Sequence, residues 1–156
     1  MTWNSISKCL LVAVAICIFS VPSGGNEDSS PDIKVELSSQ KPLWLHVTLR
    51  SRAETRVTFY KWRLPWGNLN SMMLIAVTPG ERFVRRGYPV DDPSPEKISM
   101  EPNEQQTGEV NLQMRFIGLD AALKKSDIHL FWAYEAPKEL NIPRRLGGWV
   151  LIPRQK

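Results

Sequence analysis

Apolar and polar residues alternate with period two along three stretches of the chain. Ile33, Val35 and Leu37 are separated by Lys34 and Glu36, and Leu43, Leu45, Val47 and Leu49 alternate with Trp44, His46, Thr48 and Arg50. Val110, Leu112, Met114 and Phe116 alternate with Glu109, Asn111, Gln113 and Arg115. Successive side chains of a strand point to opposite faces. Each stretch therefore predicts a half-buried antiparallel strand, with the apolar set inward and a mixed set outward. Arg56–Trp62, Met72–Val77 and Ile128–Tyr134 are apolar on both faces and rich in β-branched and aromatic residues, which predicts central strands. Arg82–Arg85, Lys97–Met100 and Trp149–Ile152 are shorter strand candidates.

Turn-forming clusters punctuate these runs at Ser38–Pro42, Leu64–Asn70, Pro79-Gly80, Asp91–Pro95, Pro102-Asn103 and Gly147-Gly148. About eight or nine short strands so spaced predict an all-β, immunoglobulin-like antiparallel β-sandwich. Helical character is confined to Leu119–Lys125, two turns at most. The 12 prolines support the same picture, since they suit short elements joined by turns better than long helices. A chain of 156 residues accommodates one such domain with a real core.

The first segment has another character. Met1–Lys8 carries one Lys and the amino terminus, Cys9–Phe19 is unbroken apolar sequence, and small and turn-forming residues follow through Gly25. This is the layout of a secretory signal peptide, expected over residues 1–23. Val21 and Ser23 fit the small-residue positions before a cut, with Ser20 as a second candidate. The apolar run falls short of the ~20 residues needed to span a bilayer, so a membrane association is expected only through an uncleaved signal. A flexible linker over residues 24–31 and a sandwich over residues 32–156 complete the expected organisation.

Cleavage would remove Cys9 and Cys17, the two cysteines of the chain. The mature domain would then have no disulfide and no thiolate, and its core alone would hold it together. Loss of Lys8 takes the basic count from 20 to 19 against 16 acidic residues, a mild cationic excess. The excess is uneven: Arg82, Arg85 and Arg86 cluster, and Arg144, Arg145, Arg154 and Lys156 crowd the carboxyl end. Such patches favour an anionic partner or simply form a solvated face.

Catalytic signatures are missing from the sequence. His46 and His129 stand apart, with no H-E-x-x-H, no cysteine pair and no carboxylate at metal-ligand spacing along the chain. No G-x-S-x-G, phosphate-cradling loop or dinucleotide fingerprint occurs. Asp91-Asp92 lies among prolines in a solvated-looking loop, whereas an acid/base pair needs one pKa raised by burial or by its neighbour. No catalytic residue, metal or cofactor is expected.

Binding candidates do occur. Trp62 and Trp66 flank a turn, and Trp44 lies on the polar side of its strand beside His46. An exposed indole stacks on a sugar or anchors a protein partner, because it buries much area with little loss of entropy. Trp62 and Trp132 are expected in the core of facing sheets, while Trp66 either covers the end of the sandwich or serves as an anchor. Trp44 and Trp66, with Arg85 and Arg86 for electrostatic steering, form the expected binding set. Lys61, Trp62, Arg63 and Trp66 superficially suit nucleic acid, but export argues against such a partner.

At these residues the sequence resembles a known family. Lys61-Trp62-x-x-Pro65, Phe83-Val84-Arg85-Arg86-Gly87-x-Pro89, Met100-x-Pro102-x-Glu104 and Gly108–Leu112 occur in the order found in the N-terminal pro-domain of deuterolysin-type and peptidyl-Lys metalloendopeptidases. The likeness covers about Val35–Tyr134. Leu64 replaces the usual Thr and Asn103 the usual Gly, and no zinc-binding helix follows. The resemblance implies a β-sandwich and an export context, and a free-standing relative of a domain that assists or restrains a protease. It implies no protease activity. The expected function is thus a secreted or periplasmic, non-enzymatic module that binds another exported protein. The alternative is a carbohydrate- or envelope-binding sandwich that uses exposed Trp and basic residues. An enzyme comes third, and would require His46 or His129.

Overall fold

A computed structural model describes residues 31–80, 83–87 and 94–155. The expected signal peptide, both cysteines, the linker up to residue 30 and the Asp91-Asp92 pair lie outside the described residues. Eight strands appear in chain order: β1 Ile33–Leu37, β2 Trp44–Arg50, β3 Val57–Tyr60, β4 Met72–Val77, β5 Lys97–Met100, β6 Gln105–Asn111, β7 Ile128–Glu135 and β8 Arg145–Ile152. One short helix, α1, spans Leu119–Leu123. All strand pairs are antiparallel, in the orders β1-β2-β6, β3-β5 and β4-β7-β8. The all-β sandwich expected from the sequence is the fold of the described residues.

The alternation in β2 translates directly into burial. Leu45, Val47 and Leu49 are fully buried while Trp44, His46, Thr48 and Arg50 are only partly covered. From the opposite sheet, β4 contributes Met72, Leu74 and Ala76, and β7 contributes Ile128, Leu130 and Tyr134. Val110, Leu112, Phe116, Leu119, Leu123 and Leu140 join the same core. Each fully buried Leu or Ile stabilises the fold by about 1.5–3 kcal/mol.

Four local expectations are corrected. Arg56–Trp62 is not a central strand: β3 ends at Tyr60, Lys61–Arg63 forms a 3-10 turn, and β3 pairs with β5 alone. The alternation after Val110 does not continue as a strand. The amides of Arg115 and Phe116 both bond to the Leu112 carbonyl, so the chain turns there. Met114 is consequently exposed, and Arg115 is 5% exposed with its Nη2 donating to the Asn68 carbonyl at 3.0 Å. Leu43 precedes its strand, in the left-handed region at φ 61°, and is still buried. Pro42 before it and a 3.3 Å bond from the Trp44 amide to the Lys41 carbonyl mark the turn. Finally, Gly147-Gly148 lies inside β8 rather than in a turn.

The reason for the last difference is a cross-strand contact. Gly148 pairs with Trp132, and a β carbon at Gly148 would sit 2.9 Å from the indole. The half-buried Trp132 thus occupies the space that a side chain there would need. Among the described residues β8 has a strand neighbour on one side only, and no charged residue lies between Leu146 and Ile152. Arg145 stands at the start of β8 and Pro153 just after it.

Candidate functional interface

The four residues singled out from the sequence do not converge. Trp44 lies on the outer face of the β1-β2-β6 sheet, paired with Asn111, and the Lys41 ammonium sits 5.0 Å from its ring centre. Lys41 also pairs with Glu109. Trp66 is half-buried against Gly108, where a β carbon would come within 2.1 Å of the indole. Arg85 and Arg86 belong to the segment beside β4, in which Phe83 bridges Val77 and Arg86 bridges Phe116. Arg86 reaches the Asn70 side chain at 3.4 Å, whereas the Arg85 side chain is exposed and has no partner among the described residues. Trp62 stacks on Tyr60 with ring centres 6.3 Å apart, at the surface rather than in the core.

The two three-stranded sheets have unlike outer faces. The outer positions of β1-β2-β6 include Lys34, Glu36, His46, Thr48, Thr107 and Glu109, and Glu36 and Glu109 flank His46 on the two neighbouring strands. That row is invisible in linear spacing, since it arises only from strand register. Among the described residues no group of three His, Cys, Asp or Glu side chains is placed to hold a metal ion.

The β4-β7-β8 sheet turns hydrocarbon outward instead. Ile75, Phe131 and Trp149 are cross-strand neighbours in one row, 41%, 46% and 61% exposed respectively. The next row towards one end holds Met73, Ala133 and Gly147, and towards the other Val77, His129 and Leu151. Phe83, 74% exposed, extends the patch past β4 and shares a groove there with Met73 and Ile75. Taking about 200 Å² per large side chain, the six exposed ones offer on the order of 600 Å² of apolar surface. That is the upper end of what monomeric soluble proteins leave open, and approaches the roughly 800 Å² per partner of a standard interface.

Charge is confined to the margins of this face. Glu135 accepts from Arg144 at 2.8 Å, and that hydrogen bond and the guanidinium charge hold its carboxyl below the ordinary glutamate range. Arg145 stands across from Glu135 at the same end. The His129 and Trp149 rings lie 5.9 Å apart at a tilt of 56°.

The chain matches no protein-family model and no curated protein. The site therefore rests on geometry. Trp149, the most exposed apolar side chain of the three-stranded face, is not singled out by sequence reasoning, and neither are its neighbours. Their signal is present as double-sided apolarity in Met72–Val77 and Ile128–Tyr134, which implies a second covering layer for each strand.

Proposed function

We propose that this chain is an extracytoplasmic, non-enzymatic binding module that docks another exported protein through the outer face of β4-β7-β8. The observation that carries this function is the contiguous row Ile75, Phe131 and Trp149, apolar and exposed on one sheet face. Interfaces concentrate binding energy in central, charge-poor clusters that include aromatic residues, with polar groups at the rim. The face fits that description. Trp149 and Phe131 take the anchoring role expected of Trp44 and Trp66. The signal-like N-terminus supports the extracytoplasmic setting. The deuterolysin-type resemblance supports an exported protease as the kind of protein assisted or restrained.

The domain beginning at residue 31, immobilised and exposed to culture fluid or periplasmic extract, should retain an exported protein, and the retained fraction should be assayed for proteolytic activity. Phe131→Asp with Trp149→Asp should abolish retention and Trp44→Ala should preserve it. Equal retention by the face variant and the parent would sink the proposal. Carbohydrate binding keeps one supporting feature, the exposed indole of Trp149 beside His129. A saturable change in Trp fluorescence on adding a soluble polysaccharide, lost in Trp149→Ala, would favour it.

A further inference from the structure

At the Phe83 end of the apolar face lies a hollow of about 400 Å³ between the strand-like segment 83–85 and α1. Its lining combines two kinds of group. Phe83, Val84, Ile117 and Ala122 supply hydrocarbon, and Arg85 and Lys125 supply positive charge. Neither cation has a side-chain partner among the described residues. Among the described residues the carboxylates next to it in sequence make other contacts: Asp127 accepts from the Arg154 amide at 2.7 Å, and Asp120 accepts from the Gln113 side chain at 3.2 Å. An apolar hollow whose two cations pair with no described side chain, continuous with a hydrocarbon face through Phe83, is complementary to an apolar segment that carries an acidic group.

We propose that the protein docked on β4-β7-β8 presents an acid-flanked apolar segment, whose carboxylate enters the hollow and is held by Arg85 and Lys125. This rests on the face being the docking surface and adds the charge and chemistry of what docks. A carboxylate that meets both cations gains from two charge pairs at once, which selects for segments that carry one. A protein fits better than a bilayer. The apolar groups lie on a sheet face, which another sheet or a helix covers, and the two cations of the hollow sit on its Phe83 flank.

Selection of random twelve-residue peptides on the immobilised domain, residues 31–156, tests this while the partner is still unidentified. Peptides enriched from the parent protein should combine aromatic or aliphatic residues with Asp or Glu. Their affinity should fall at least tenfold in Arg85→Glu with Lys125→Glu, and selection on that variant should enrich Lys or Arg instead. Absence of acidic enrichment, or the same peptides from parent and charge-reversed variant, would overturn the proposal. So would binding to vesicles of anionic phosphatidylglycerol in preference to the selected peptides, or sedimentation of the parent as a dimer with the face closed. Phe131→Asp with Trp149→Asp is the separating control. If that variant still binds the peptides with parental affinity, the face itself is wrong. If it loses them while charge reversal has no effect, the face stands and the acidic partner falls.

Discussion

The Tyr134 hydroxyl donates a 2.8 Å hydrogen bond to the main-chain carbonyl of Arg63, tying the end of β7 to the turn between β3 and β4. Tyr134 is buried, 3% exposed, and desolvation pushes its phenol well above the ordinary range although the Arg63 charge opposes this. The contact thus requires the protonated phenol. Tyr134→Phe should cost about 1 kcal/mol at neutral pH. The folded-state pKa is raised, so this stabilisation is complete below the unfolded value near 10 and is lost as pH climbs from there through the folded value. Urea unfolding between pH 7 and 11 should show the parent losing stability above about pH 10 more steeply than Tyr134→Phe. Parallel curves would refute the assignment.

Gly108 is constrained by the indole of Trp66, whereas Gly80 has no atom within 4 Å of where a β carbon would be. Gly108→Ala should destabilise by about 1–3 kcal/mol as Trp66 is displaced, while Gly80→Ala stays within about 0.5 kcal/mol. Chemical denaturation measures both. Gly108→Ala should also red-shift the Trp emission as the indole moves towards water.

Residues 114 and 115 invert the alternation that precedes them, and their variants should do likewise. Met114→Lys removes an exposed side chain and should change stability by less than about 0.5 kcal/mol. Arg115→Met removes the buried donor to the Asn68 carbonyl and should cost about 2 kcal/mol. Thermal unfolding of the pair decides the matter, and the opposite ranking would restore the simple period-two pattern.

A charge on the outer face should be tolerated by the fold. Trp149→Lys should shift the urea midpoint little, within about 1 kcal/mol, whereas Leu130→Ala, on the inner face of β7, should cost about 2–5 kcal/mol. Trp149→Lys should also weaken binding of a hydrophobic dye. A large loss of stability in that variant would mean that the indole is structural.

What can be read from the chain follows from what leaves a local imprint. Alternation in β1 and β2 survives because each residue's partition between core and water is decided within its own strand. The contacts that break the pattern are non-local. Gly148 looks like a turn residue until Trp132 is set across from it, and Arg115 looks solvated until Asn68 supplies an acceptor. The exposed apolar face is hidden for a related reason. Residues such as Phe131 and Ile75 predict an apolar neighbour, but the letters are the same whether that neighbour is another layer of this fold or a separate molecule. Tryptophans in polar surroundings stand out more clearly in the sequence. Yet Trp44 carries a lysine, and Trp66 fills the space above a glycine.

The free side of β8 has a cost beyond recognition. From Leu146 to Ile152 the strand is uncharged and mostly hydrophobic, and among the described residues it lies at a sheet margin. Natural sheets usually guard such margins with lysine, proline or a bulge, because an unguarded strand templates the growth of intermolecular sheets. Here the guards are Arg145 and Pro153, one at each end, and nothing between. Such a margin predicts that the domain self-associates at high concentration unless the strand and its face are covered.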